Sequence, residues 1–197
     1  MTPTNLVSIA ILALLMFWAV GAYNRMIRLK NVIANAFGQI DVQLKRRYDL
    51  IPNLVEVAKK YLQHERETLE AVTAARNQAR TASDAVRSRP ANAQAVISLG
   101  AAEQALDASL GRLFAVAEAY PELKADQNLR ELSEELTSTE NKVTFARQAF
   151  NDSVLDYNNA RSQFPALLIA RLFGFAPSAM LQATDHAIER QAVRVEF

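Results

Sequence analysis

The chain has 197 residues, 50% of them apolar, and its 22 Lys and Arg nearly balance its 21 Asp and Glu to give a net charge of +1. This length suits one domain with an appendage, and the lack of a basic excess argues against nucleic acid as a partner. Cysteine is absent, which excludes disulfides and thiolate chemistry and leaves zinc only two histidines and carboxylates as ligands.

An uncharged apolar segment, Leu6 to Tyr23, opens the chain. As a helix it would be about 27 Å long, close to the ~30 Å hydrocarbon core of a bilayer. We therefore expect residues 1–24 to form one transmembrane anchor. The alternative, a cleaved signal peptide, normally begins with basic residues, and MTPTN has none. Arg25, Arg28 and Lys30 follow at once, so the positive-inside rule predicts a single-pass protein with its N terminus outside and its body in the cytoplasm.

Beyond the span, apolar residues recur at steps of three and four, the spacing of amphipathic helices. The first predicted helix runs from about Met26 to Arg80, with a gap in its apolar row near Glu65. The polar stretch TASDAVRSRPANAQ ends it, and a second helix follows over Ala93 to Glu118. Pro121 starts a third helix, which ends at Phe164-Pro165. The fold class is all-α: an antiparallel bundle of three long helices over residues 25–175, with a short apolar fourth segment.

The fourth segment, PALLIARLFGF from Pro165 to Phe175, is too short to cross a bilayer. Three long helices running alternately out and back would place it at the end of the bundle away from the anchor. Its apolar side chains are predicted to form a contact surface, covered by the bundle, a second subunit or a partner. These side chains are Leu167, Leu168, Leu172, Phe173 and Phe175. The C-terminal tail, 176–197, is predicted to be docked or partly ordered.

Each of the two longest apolar rows contains one charged residue. Arg47 interrupts the row of the first helix, and Glu140 interrupts that of the third. Because an unpaired buried charge is very unfavourable, we predict that the two form a structural ion pair that fixes the register of the helices. Pro52 lies one turn after Tyr48, whose carbonyl group it deprives of a backbone donor. We predict a kink there; the alternative is that Asp49 caps a new helix with Pro52 in its first turn.

Four stretches resemble the LemA family, in the order in which the family carries them. They are RRYDLIPNLVEVAKKY (46–61), AYPELKADQNLRELSEELTSTENKVTFAR (119–147), FNDSVLDYNNARSQFP (150–165) and LFGF (172–175). The resemblance implies a membrane-anchored helical bundle with a short outer terminus and a cytoplasmic body, which suggests the bacterial cell (inner) membrane. It supplies no reaction. A magnetosome relative is linked to membrane formation, and genes of the family often lie near a membrane metalloprotease, which suggests a membrane protein partner.

The sequence favours a protein that is not an enzyme and that needs no cofactor. A di-iron bundle requires Glu-x-x-His pairs, whereas the residues three positions before His64 and His186 are Tyr61 and Ala183. Motifs for phosphate loops and for serine or zinc hydrolases are missing. The run Lys45-Arg46-Arg47 is shorter than the usual basic cluster for anionic lipid, so we assign its first two residues to a solvated face.

Two functions remain. The first is a membrane-anchored non-enzymatic scaffold, which forms a homo-oligomer or holds another membrane protein. The second is a membrane-shaping protein, which inserts the apolar segment 165–175 into a bilayer interface. The length of that segment favours the second function, whereas the single charge in it, Arg171, counts against it because interfacial helices are usually flanked by lysines.

Overall fold

The computed structural model describes residues 3–182, and every regular element in this range is a helix. The fold class is therefore all-α, as predicted. The helices are α1 (Pro3–Lys59), α2 (Arg66–Ser88), α3 (Ala93–Ala117), α4 (Pro121–Ala125), α5 (Gln127–Ser162) and α6 (Ala166–Leu172). The predicted tail lies inside the described range only as far as residue 182.

Helix α1 runs without interruption for 57 residues, from the apolar N-terminal segment into the body of the bundle. Its N-terminal part is long and apolar enough to cross a membrane: an 18-residue window has a mean hydropathy of 2.3, and none of it is buried. Within residues 3–182 it is the one helix with these properties. The expected boundary between residues 24 and 25 therefore lies inside a single rigid element.

The core of the bundle begins immediately after this apolar part. Met26, Ile33, Phe37, Ile40 and Leu44 are all buried, and their spacing places them along one face of α1. This face packs mainly against α5, which runs antiparallel to it. Three contacts fix the register of the pair: Phe37 with Phe150, Arg47 with Glu140 and Tyr61 with Asp126. From one pair to the next, the number of the first residue rises by as many positions as the number of its partner falls. The register is therefore constant along the interface.

The first helix ends at Lys59 and not near Arg80, so the sequence prediction was wrong about its length. Turns over residues 60–65 reverse the chain, and α2 packs back against α1. Leu62 in the turn is buried and Tyr61 donates a hydrogen bond to Asp126 Oδ2 at 3.0 Å, which ties the turn to the start of α5. The turn contains neither Gly nor Pro, the residues that often follow the end of a helix, and burial of Leu62 holds it in place instead. The bundle consequently has four long helices, where three were expected.

The extra reversal changes the direction of the last long helix. The third predicted helix is divided by Asp126, which caps α5 by accepting hydrogen bonds from the backbone N–H groups of Asn128 and Leu129. From there α5 runs back toward the apolar part of α1, and its last residue, Ser162, lies level with Arg25 on the constant register. Helix α6 therefore lies at the end of the bundle that carries the apolar part of α1, the candidate anchor. The prediction that it lies at the far end was wrong.

Candidate functional sites: a buried ion cluster and an apolar end

Arg47 is the most buried charged group in the bundle, with 6% of its side chain exposed. Its Nη1 atom lies 2.9 Å from Glu103 Oε2 on α3 and 2.9 Å from Glu140 Oε2 on α5, while Nη2 donates to Asp107 on α3. The structure thus brings together the two residues that the sequence paired. It also adds two α3 carboxylates that the sequence did not single out. Tyr48 donates its hydroxyl hydrogen to the other oxygen of Glu103.

Burial and the neighbouring charges shift the pKa values of three groups in the cluster. Burial alone lowers the pKa of Arg47, but the charges of Asp107, Glu140 and Glu103 outweigh burial, and its pKa rises above the ordinary value. Burial raises the pKa of the Glu103 carboxyl, and the nearby Arg47 does not fully compensate. Burial and the Glu103 charge likewise raise the pKa of Tyr48. The cluster therefore joins α1, α3 and α5, and keeping the buried Glu103 carboxylate charged costs free energy.

The space around the cluster is of two kinds. An enclosed cavity of about 20 Å³, roughly the size of one water molecule, adjoins Arg47, Glu103 and the tail residue Leu181. On the other side, an open cleft of about 430 Å³ lies between α3 and α5, with Arg47 at its base and Phe114 on its wall. Within residues 3–182, α3 and α5 hardly touch, which leaves this cleft uncovered along the bundle.

Pro52 lies inside α1, and the helix continues through it. The alternative that Asp49 caps a new helix is therefore wrong. The carbonyl group of Tyr48 accepts a hydrogen bond from Arg76 Nε of α2 at 2.8 Å. Pro52 has no backbone N–H to donate to the Tyr48 carbonyl group, and Arg76 of α2 supplies the hydrogen-bond donor instead. Arg76 was not identified from the sequence, because nothing in its exposed-looking surroundings, AARNQAR, marks it as a partner of a distant backbone group.

A second polar contact joins α1 to α2 near the C terminus of α2. Asp41 accepts two hydrogen bonds from Arg87, at 2.9 and 2.7 Å, and lies 3.1 Å from Lys45 Nζ. Burial raises the pKa of Asp41, but the hydrogen bonds from Arg87 and Lys45 outweigh burial and hold its pKa below the ordinary value. Arg46 pairs with Glu135 of α5 at 2.9 Å from Nε. The run Lys45-Arg46-Arg47 is thus engaged within the bundle.

The predicted contact surface divides into buried and exposed side chains. Phe175 is 7% exposed and packs against Tyr23 of α1, and Leu167 is partly buried. Leu168, Leu172 and Phe173 are 55%, 75% and 56% exposed. Phe173 also touches Tyr23, with ring centroids 4.9 Å apart. The exposed apolar part therefore lies directly beside the end of the candidate membrane span.

The motif FNDSVLDYNNARSQFP holds the start of the tail. Asn151 exchanges two hydrogen bonds with the backbone of Leu181, at 2.9 and 3.1 Å. Asn158 does the same with Ser178, at 3.0 and 2.8 Å. Each amide thus pairs with a peptide unit as a neighbouring strand would, and residues 176–182 lie against α5 without helical structure. The predicted docking of the tail is seen for this part, whereas its end, VRVEF, lies outside the described residues.

The histidine and carboxylate side chains of the described residues are the candidate metal ligands. Among residues 3–182, no group of three or more His, Asp or Glu side chains has the arrangement of a metal site. His64 is exposed in the turn after α1, and His186 lies outside the described range. The buried and partly buried carboxylates are paired: Glu103, Asp107 and Glu140 with Arg47, and Asp41 with Arg87 and Lys45.

Comparison with known proteins gives one positive result. No curated protein matches the chain. The model of the LemA family matches residues 36–197, which covers most of the chain and includes the ion cluster, Pro52, the amide motif and α6. The matched region begins after the candidate span, so it describes the bundle and the tail. The chain belongs to the LemA family.

Proposed function

We propose that this protein is a membrane-anchored, non-enzymatic helical scaffold, which holds membrane proteins, its own copies included, at a fixed distance from the bilayer. The observation that carries the proposal is the continuity of α1, which passes from the candidate span to the far end of the bundle as one helix of 57 residues. About 35 residues of it follow the span, so the far end stands roughly 50 Å from the membrane.

The polar contacts inside the bundle favour a rigid scaffold over an enzyme. The Arg47 cluster joins three helices. Arg76 donates a hydrogen bond to the Tyr48 carbonyl group that Pro52 leaves without a backbone donor, and Arg87 joins α1 to α2. Buried polar groups of this kind specify one register of long helices at some cost in stability. The small cavity beside the cluster holds about one water molecule, and the cleft of about 430 Å³ on its other side is open to solvent.

For the orientation, we propose a single-pass protein of the bacterial inner membrane with the bundle in the cytoplasm. Arg25, Arg28 and Lys30 support this choice, since they follow the span and are exposed. A reporter active only outside the cytoplasm, fused after Phe197, should remain silent. A signal from that fusion would reverse the assignment.

Crosslinking in intact membranes tests the scaffold itself. Phe145 of α5 is 77% exposed and faces away from the core, so a photoreactive amino acid placed there samples a possible partner. Gln104, exposed on α3, is the matched control position. We expect discrete adducts from Phe145, identified by mass spectrometry as a second copy or as another membrane protein. A chain that stays uncrosslinked from every exposed position of the bundle would contradict the scaffold.

The membrane-shaping alternative gains one observation, namely the position of α6 beside Tyr23. With α1 in the membrane, as proposed, the apolar segment would lie at the bilayer, and a contact with lipid there is compatible with the scaffold.

A further inference from the structure

Four large apolar side chains are exposed together at the anchored end of the bundle. Leu168, Leu172 and Phe173 belong to α6 and its C-terminal cap, and Phe164 precedes the helix with 81% of its surface exposed. We call these four residues the α6 surface. Scattered apolar side chains need no explanation, but a group of this kind on one short element marks a surface that meets a partner.

The register of α1 and α5 fixes the height of this surface above the membrane. Ser162 lies level with Arg25, and Phe173 packs edge-on against Tyr23, the last residue of the uncharged segment. A residue in contact with the end of a membrane-spanning helix lies at the level of the lipid headgroups. Arg161 donates a hydrogen bond at 2.6 Å to the carbonyl oxygen of Phe175, which follows α6, so this backbone group has a partner within the protein.

The charged residues nearest the span are all positive. Residues 24–30 of α1 lie level with residues 157–163 of α5; the charges between 24 and 30 are Arg25, Arg28 and Lys30, and those between 157 and 182 are Arg161 and Arg171. The nearest acidic residue on α5, Asp156, lies level with Asn31, farther from the span. Acidic residues are missing from both stretches of the sequence, although Asp and Glu are as numerous as Lys and Arg in the chain as a whole. Four of these cations, Arg25, Arg28, Lys30 and Arg171, are exposed. Four basic residues beside a membrane span meet the usual threshold for attraction to anionic lipid headgroups.

We propose that the α6 surface rests in the interface of the bilayer that α1 crosses, with Arg25, Arg28, Lys30 and Arg171 on anionic headgroups. The apolar side chains replace water with the upper acyl chains, while the cations remain among the phosphates. The bundle would then contact the bilayer through α6 as well as through α1. This second contact restricts the tilt of the bundle relative to the membrane. This inference rests on the proposed membrane anchoring.

Quenching of tryptophan fluorescence by brominated lipid tests the contact in the full chain reconstituted in nanodiscs. The chain has one tryptophan, Trp18, which lies in the span and reports the anchor by itself. In a Trp18→Phe background, Leu172→Trp reports the α6 surface. Phe145→Trp is the matched control, since Phe145 and Leu172 are 77% and 75% exposed. Phe145 lies level with Val42, roughly 28 Å farther from the membrane than Tyr23.

We expect lipid brominated near its headgroup to quench the Leu172→Trp variant several-fold more strongly than the Phe145→Trp variant. At equal bromine content, phosphatidylglycerol should quench it more than phosphatidylcholine. A Leu172→Trp variant quenched no more than the Phe145→Trp variant, while Trp18 is quenched, would overturn the lipid contact and leave the anchor standing. If Trp18 also escapes quenching, the anchor itself fails. Equal quenching by the two lipids would overturn the assignment of the cations to anionic headgroups.

Discussion

Replacing Arg47 by Met should destabilise the bundle by about 3–5 kcal/mol at neutral pH, because it leaves buried carboxylates without their cation. Methionine fills the same apolar space as the arginine stem, so the main loss is electrostatic. The Arg47 side chain is only 6% exposed and that of Glu103 only 12%, so water compensates least for the missing charge at Glu103. Glu140→Gln should cost less, since its side chain is 34% exposed and two other carboxylates remain on Arg47.

The magnitude follows from the geometry. Opposite charges with centres about 4 Å apart attract by ~4 kcal/mol at an effective dielectric constant near 20, and Arg47 has three such partners. The carboxylates repel one another, and burial of the guanidinium group costs several kcal/mol, so most of the attraction is offset. Removal of Arg47 abolishes the attraction while the repulsion stays. Double-mutant coupling between Arg47 and Glu140 should therefore be about 0.5–3 kcal/mol.

The assay is chemical denaturation of the full chain in detergent, followed by circular dichroism at pH 5 and pH 8. Arg47 counteracts the rise that burial causes in the pKa of Glu103, so without Arg47 this pKa rises further and the folded state keeps a proton that the unfolded state releases. The stability of Arg47→Met should then fall as the pH rises above 4.5, the ordinary Glu value, and its deficit should be smaller at pH 5 than at pH 8. A deficit that is equal at both pH values, or below about 1 kcal/mol, would refute this account of the cluster.

Three further predictions concern the other polar contacts. Arg76→Leu should cost roughly 1–3 kcal/mol in unfolding free energy, and less in a Pro52→Ala background, where a backbone N–H is restored to α1; equal costs in both backgrounds would contradict the pairing. Asn158→Ala should speed amide hydrogen exchange in residues 176–182, whereas Asn159→Ala, at an exposed position, should leave that exchange unchanged. Asp41 has a lowered pKa, so its stabilisation is present above pH 3.8 and is lost as the pH falls through its folded pKa. The stability difference between the wild type and Asp41→Asn should shrink accordingly in acid, and a constant difference would count against this role.

The parts of the fold that follow from periodicity were predictable. The apolar row from Leu29 to Leu44 predicts the packed face of α1, of which Ile33, Phe37, Ile40 and Leu44 are buried, and the second helix was placed within one residue of α3. The opposite charges of Arg47 and Glu140 pointed to a contact across the core, because a buried charge requires a partner. Pro52 likewise indicated a carbonyl group in need of a donor.

What the sequence did not show depends on contacts between distant segments. The turn after Lys59 contains neither Gly nor Pro and is held by burial of Leu62 and by Tyr61 on Asp126, so only the gap near Glu65 signalled it. Missing that turn reversed the direction of the last helix and placed the apolar segment at the wrong end. The α3 carboxylates escaped notice because their partner lies on another helix, and local spacing carries no information about it.

The most direct test of the account is the intact mass of the protein recovered from membranes washed in alkaline carbonate. Both the scaffold and the lipid contact require that the apolar start of α1 stays attached to the bundle and stays in the bilayer. We predict that the protein remains in the washed membrane pellet with the mass of the whole chain, 21.9 kDa. Release into the wash, or a mass that lacks the segment through Tyr23, would show that α1 is no anchor and would contradict the account.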